Sequence, residues 1–187
     1  MEALLIILGI VVLVAVLVIG IYNNLVRLRQ VTKQAFADVD VQLKQRHDLV
    51  PNLVATVKGY AAHEAGTLEK VVQARNAAVN AHGVAEQAQA ENMLTGALRQ
   101  LFALSEAYPD LKANTNFLDL QNELSDIENK IAAARRFFNN AVSEFNTAVQ
   151  QFPAVLFAGA MGFGAEPFFD LGEDRKTVET APQVSFN

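Results

Sequence analysis

Residues 3–22 form an apolar run without a single charged side chain. At 1.5 Å rise per residue the run makes a helix of roughly 30 Å, the thickness of a hydrocarbon core. Apolar residues, among them Leu4, Ile7, Val11, Val14, Val18 and Tyr22, cover all of its faces. A helix packed on the surface of a soluble core shows an apolar stripe instead, so the run reads as a retained single transmembrane anchor over residues 1–22. A cleaved signal peptide fits poorly. No Lys or Arg precedes the run, it exceeds a typical h-region, and no A-x-A site follows.

Beyond Tyr22 the pattern changes from uniformly apolar to periodic. Leu28, Val31, Ala35, Val39 and Leu43 recur at three- and four-residue steps, and Val50, Leu53, Val57, Tyr60, Leu68 and Val71 continue the face. This predicts one long helix over residues 23–80, running on from the anchor without a joint. Unkinked, its 58 residues would measure about 87 Å. Pro51 falls inside it and removes the hydrogen bond to the His47 carbonyl, which predicts a kink; a full break at Leu49–Pro51 is the alternative. Gly59 in mid-helix suggests a close helix crossing. Asn80-Ala81-His82-Gly83 is a helix stop, a second helix follows over residues 84–107, and Tyr108-Pro109-Asp110 makes the next turn. Either Asn114 or Thr115 can cap the last helix, residues 115–152. That helix carries the cleanest periodicity in the chain. Phe117, Leu120, Leu124, Ile127, Ile131, Ala134, Phe138, Ala141, Phe145, Ala148 and Phe152 alternate steps of three and four without an error. Such a heptad seam argues for near-parallel packing with slight supercoiling. No alternating strand pattern and no hairpin dipeptide appears, so the fold expected is all-α: an anchor continuing into an antiparallel, up-and-down bundle of long helices over residues 23–152.

Beside that seam runs a polar row, Glu128, Arg135, Asn139 and Asn146, all within about 20° of one line at 100° per residue. It is either a solvated flank or a ladder that faces another helix and fixes register, with Arg46, Asp48 and Asn52 on the first long helix as partners. Residues 153–187 begin rich in Phe and Gly, with Phe157, Phe163, Phe168 and Phe169, and turn acidic from Asp170. The apolar part is too short and too glycine-rich for a second span. It either folds over the bundle or contacts a subunit or the bilayer. The last ten or so residues are expected to be disordered.

Charge orients the anchor. Only Glu2 and the amino terminus precede it, whereas Arg27, Arg29 and Lys33 follow within about 15 residues, the window in which the positive-inside rule is read. The rule puts the N-terminus outside and the bundle in the cytoplasm. Residues 23–60 carry six Lys/Arg against three Asp/Glu, and residues 61–187 carry nine against 16, so the membrane-near section is the basic one.

Candidate chemistry is sparse. The chain has no cysteine, which excludes disulfides, thiolate metal sites and a thiol nucleophile. A net charge of −5 argues against a nucleic-acid footprint. His63-Glu64 begins like a zincin helix, but Thr67 stands where the second histidine is required. There is no nucleophile elbow and no phosphate-binding glycine loop, and Asp38, Asp40 and Asp48 are spaced for ion pairing rather than acid–base work. No catalytic residue, metal, cofactor or small-molecule substrate is expected.

The strings Asp40-Val41-Gln42-Leu43-Lys44-Gln45-Arg46-His47-Asp48-Leu49-Val50-Pro51-Asn52-Leu53-Val54, Val57-Lys58-Gly59-Tyr60-Ala61-Ala62-His63-Glu64, and Tyr108-Pro109-Asp110-Leu111-Lys112-Ala113-Asn114 resemble those of the LemA family. Glu128-Asn129, Ala134-Arg135, Phe138-Asn139, Phe145-Asn146, Phe152-Pro153, Gly162-Phe163 and Phe168-Phe169 continue the likeness, which covers residues 22–171. Phe138 and Phe145 stand where the family often has tyrosine, so any hydroxyl bond there is lost. The resemblance implies a bacterial membrane protein with one N-terminal anchor, a helical bundle and no assigned reaction. It puts the polar row on family motif residues. A magnetosome-associated relative, MamQ, points toward membrane organisation, and an association of other members with a membrane protease of the HtpX type points toward an adaptor. The leading expectation is a non-enzymatic scaffold that self-assembles as a homo-oligomer on the lipid bilayer. The second is an accessory subunit binding another membrane protein.

Overall fold

The computed structural model describes residues 1–169. The acidic tail from Asp170, with the disorder expected of its end, lies outside the described residues. Those residues form helices and no strand: α1 (Glu2–Tyr60), α2 (Ala65–Asn80), α3 (Val84–Ser105), the single turn α4 (Pro109–Lys112) and α5 (Thr115–Gln150), then a 3-10 turn at Ala154–Leu156. The all-α expectation holds. The chain divides into two compact units, Met1–Asp38 with Ala134–Pro167, and Val39–Ala133 with the segment from Phe168. α1 and α5 each contribute residues to both.

In the first unit α1 begins in the apolar run and continues past Tyr22 without a joint. The run is long and apolar enough to cross a membrane, and no residue of its most apolar 18-residue window is buried. One turn further on the periodic face begins. Leu25 and Leu28 pack with Phe145 and Val149 of α5, and with Ala158 and Phe163 of the segment that follows α5. Farther along, Thr32 Oγ lies 3.5 Å from the Ala141 carbonyl, and the Phe36 and Phe138 rings meet at 5.3 Å. Moving up α1 moves down α5, so the two are antiparallel.

In the second unit the remainder of α1 packs with α2, α3, α4 and the start of α5. The core is Val50, Leu53, Val57, Leu68, Val71, Leu94, Leu98, Leu101, Leu111, Phe117 and Leu124. Each large side chain so buried stabilises the fold by about 1.5–3 kcal/mol. Tyr60 is fourteen residues on from Arg46 and bonds Asn114, fourteen residues back from Arg46's partner Glu128, so α1 and α5 are antiparallel here too. Asp40 meets Gln87, and Arg46 meets Glu91 and Thr95, so α3 runs parallel to α1. The helices therefore alternate up and down.

Several boundaries differ from the sequence reading. The helix expected over 23–80 ends at Tyr60, and residues 61–64 reverse the chain. Ala61 N–H closes the last bond to the Val57 carbonyl, and Glu64 N–H bonds the Ala61 carbonyl. Periodicity hid this turn because buried Ala61 and Leu68 are seven residues apart and feed one core from both sides of the reversal. Tertiary bonds hold it: Asn114 Nδ2 donates to Tyr60 Oη at 2.8 Å, and Tyr108 Oη donates to Glu64 at 3.2 Å. Gly59 marks no close crossing, since a Cβ built there meets nothing within 4 Å. The second helix stops at Ser105, two residues early, and Pro109 starts an extra turn of helix. The last helix stops at Gln150, so Phe152 falls outside the seam and is 80% exposed. Val142 is buried beside Ala141, and Val149 is buried where Ala148 is only partly so, as expected of a 3.6-residue period drifting off a 3.5 repeat. Gly83 takes φ of +81°, a backbone conformation open to glycine, between α2 and α3. Asn114 caps α5, its Oδ1 accepting the Phe117 N–H at 3.0 Å.

Candidate functional site

On α1 the buried face reads Leu43, Arg46, Val50, Leu53, Val57, so an arginine occupies a core position of the seam. α3 does the same with a carboxylate. Glu91, Leu94, Leu98, Leu101 and Ser105 step by three and four, and all are buried. The two meet. Arg46 Nη1 lies 3.4 Å from Glu91 Oε2 and 3.3 Å from Glu128 Oε2 on α5, while Nη2 donates to Thr95 Oγ at 2.6 Å. His47 Nε2 lies 2.5 Å from the other Glu91 oxygen. Arg46 and Glu91 are 3% exposed at their side chains and Glu128 is 45% exposed, so the cluster is sealed on the α3 side and open on the α5 side.

Pro51 adds a second element. It lacks the N–H that would bond the His47 carbonyl, yet α1 continues through it as helix, without the full break weighed as an alternative. Arg75 of α2 supplies the missing donor, its Nε bonding the His47 carbonyl at 3.3 Å. Beside the cluster lies a cleft of about 430 Å³ lined by Arg46, Thr95, Arg99, Phe102, Gln121, Asn122, Ser125 and Glu128.

The structure joins some of the residues that the sequence put together and separates others. Arg46 and Glu128 meet. Asp48 is exposed and pairs with Lys44 at 2.9 Å, and Asn52 is exposed. The reason is angular: at 100° per residue Asp48 and Asn52 lie about 160° and 120° around the helix from Arg46. The hydrogen bond from Lys44 holds the Asp48 carboxyl below its usual range. Arg135 and Asn139 are half-buried. Asn146 serves the tail rather than α1. Its Nδ2 donates to the Glu166 carbonyl at 2.9 Å and its Oδ1 accepts the Glu166 N–H at 2.8 Å. Sequence reasoning missed Glu91, whose signal was a lone charge on an otherwise apolar seam.

The tail residues divide similarly. Phe163 is buried against Phe145 and meets Tyr22 edge-on at 5.7 Å, with the Arg29 guanidinium 5.9 Å above its ring. Arg29 also pairs with Glu166 at 3.4 Å. Phe157 is half-buried, Phe169 buried and Phe168 half exposed. His63 and Glu64 sit in the turn after α1 rather than on a helix, and burial and the Glu64 carboxylate push the Tyr108 phenol up. Among the described residues no group of three or more His, Asp or Glu side chains is placed to hold a metal.

Fold and cluster together define a helical bundle led by a helix of membrane-spanning length, with buried charges tying α1 to α3 and α5. The LemA family profile matches residues 35–186, and the chain belongs to that family. It is 29% identical to Protein LemA of Metamycoplasma hominis over 138 residues, which cover 72% of this chain and 62% of that one, under two thirds of its length. It is 23% identical to magnetosome protein MamQ of Magnetospirillum gryphiswaldense and 24% identical to MamQ 1 of Paramagnetospirillum magneticum. Each of those matches covers 87% of this chain and 70% of the relative. Neither name denotes an enzyme.

Proposed function

We propose that the chain is a non-enzymatic, membrane-anchored helical scaffold that self-assembles and organises or shapes a bacterial membrane. The observation that carries this reading is the continuity of α1, whose apolar start runs on past Tyr22 as helix into the residues that pack with α5. The anchor joins the packed residues through helix instead of a linker. The buried charge cluster supports the same reading, because paired polar groups at core positions fix helix register rather than perform chemistry. The name of the MamQ relatives, a magnetosome protein, favours membrane organisation over catalysis. Basic flanking residues Arg27, Arg29 and Lys33 support an outside N-terminus and a cytoplasmic bundle on the inner membrane.

The test is mass photometry and imaging of the full chain extracted into native lipid discs. A homo-oligomer of defined size is the expected result, and a strictly monomeric particle at near-native lipid content overturns the scaffold. A stoichiometric foreign membrane protein without self-association makes the chain an adaptor instead. Because the chain lacks cysteine, Glu2→Cys and Ala77→Cys, the latter at an exposed position of α2, report orientation with an impermeant thiol reagent in intact cells. Labelling at position 2 alone is expected, and labelling at position 77 reverses the assignment.

A further inference from the structure

Beyond the apolar run, three large apolar side chains of one short segment stand together in the open: Phe152, Val155 and Leu156 are 80%, 52% and 64% exposed. They occupy the corner at which the chain leaves α5 and doubles back. Both ends of that corner are fastened. Val149 before it and Ala158 after it pack on Leu25, with Ile21 of the apolar run against the same cluster. The antiparallel register of α1 and α5 therefore sets the corner beside Ile21 and Tyr22, where the run ends. Phe163, touching Tyr22, closes the loop on the bundle side. One turn farther from the run the character changes. Asn24, Arg27, Thr147 and Gln151 line an open polar groove of about 440 Å³.

We propose that the corner at residues 152–156 is a second bilayer contact, dipping Phe152, Val155 and Leu156 into the interfacial layer beside the anchor, with the polar groove at headgroup level. The proposal rests on residues 3–22 spanning the bilayer, and it deepens the membrane reading by naming which bundle residues touch lipid. Apolar side chains next to a lipid-facing helix meet acyl chains at the depth where that helix enters, and an apolar tip backed by a polar band matches the gradient of an interface. Insertion in one leaflet only would tie the bundle's tilt to that leaflet and give the scaffold a wedge.

The test uses the full chain in proteoliposomes, with single cysteines at Phe152→Cys, Leu156→Cys and Phe137→Cys carrying an environment-sensitive fluorophore. Phe137 is the matched control. It is 54% exposed, lies in the same unit, and sits about four turns of α5 farther from the run. The expected result is blue-shifted emission at 152 and 156, quenched by a lipid spin-labelled high on its acyl chain, with neither effect at 137. Unshifted, unquenched labels at 152 and 156 overturn the proposal. Blue-shifted labels that lipid does not quench also overturn it, and hand the corner to a second copy of the chain. All three positions are surface sites, and circular dichroism of each labelled variant checks the fold. A monomeric particle in native lipid would remove the scaffold while leaving these labels quenched. Labels in water on an oligomeric particle would do the reverse.

Discussion

Replacing Arg46 by methionine removes the guanidinium while keeping most of the packing of its stem, and the structure sets the size of the effect. Glu91 would keep only His47 as partner inside a site where its side chain is 3% exposed. Breaking a buried ion pair from one side costs about 3–5 kcal/mol, because the remaining charge is left uncompensated. Glu128 faces solvent with 45% of its side chain, so its share of the attraction to Arg46 is screened and worth less than about 1 kcal/mol. The two carboxylates should therefore separate in double-mutant cycles. Arg46→Met with Glu91→Gln, which keeps an acceptor for His47 Nε2, should show coupling of about 2–3 kcal/mol. Arg46→Met with Glu128→Gln should show about 0.5 kcal/mol. The assay is urea unfolding of the full chain in detergent micelles, followed by the helical circular dichroism signal. Equal coupling for the two pairs, or a loss below about 1 kcal/mol for Arg46→Met alone, would refute the assignment of Glu91 as the main partner.

Arg75→Met should cost about 1–2 kcal/mol in the native background and much less in a Pro51→Ala background, where the restored amide takes the His47 carbonyl; equal losses in both would dissociate Arg75 from the proline. Gly59→Ala and Gly96→Ala, at positions with room for a Cβ and no positive φ, should each raise stability by about 0.5–1 kcal/mol, read as a higher urea midpoint. The raised Tyr108 phenol favours the neutral form in the fold, so its contribution is complete below the ordinary phenol value and fades as pH rises through the folded value. Tyr108→Phe should flatten the alkaline limb of stability against pH, and an unchanged limb would show that the phenol has no part in it. The lowered Asp48 carboxyl works in the opposite sense: its contribution is present above the ordinary carboxyl value and fades as pH falls through the folded one, which Asp48→Asn should remove.

Periodicity made the helices legible and the reversals partly invisible. The seam of α5 was readable because Phe117, Leu124, Ile127, Ile131, Phe138 and Phe145 all bury on one line. The turn at residues 61–64 was not, because a reversal that returns to the same core at seven-residue spacing leaves the apolar pattern intact. It is held by Tyr60, Asn114, Glu64 and Tyr108, contacts between positions 44 and 54 residues apart, and no local pattern encodes these. Pro51 was read as lying inside one helix, and α1 does continue through it. The orphaned His47 carbonyl follows from the ring, whereas the donor that meets it, Arg75 of α2, follows from no local pattern. At the charge cluster, Arg46 and Glu128 were both nameable from the sequence, whereas Asp48 and Asn52 were grouped with Arg46 by closeness in sequence rather than by angle.

The apolar tail was read as either folding over the bundle or contacting a subunit or the bilayer. At Phe163 it turns inward, onto Tyr22 and Phe145. Burial at that site follows from the Asn146 amide clamp on Glu166 and the Arg29 pair, which draw the returning segment back along α1. Once that segment is fastened, the corner it leaves behind has no side chains of its own unit to cover Phe152 and Leu156. These two expose apolar area because the polar clamp works, and the corner they occupy is bracketed by residues packed where the apolar run ends. Weakening the clamp with Asn146→Ala should loosen Phe163 and the corner together. Labels at Phe152→Cys and Leu156→Cys would then lose their fixed depth, while Phe137→Cys, held on α5 itself, stays as it was. A change at 137 as large as at 152 would mean that the clamp supports the whole unit rather than the corner.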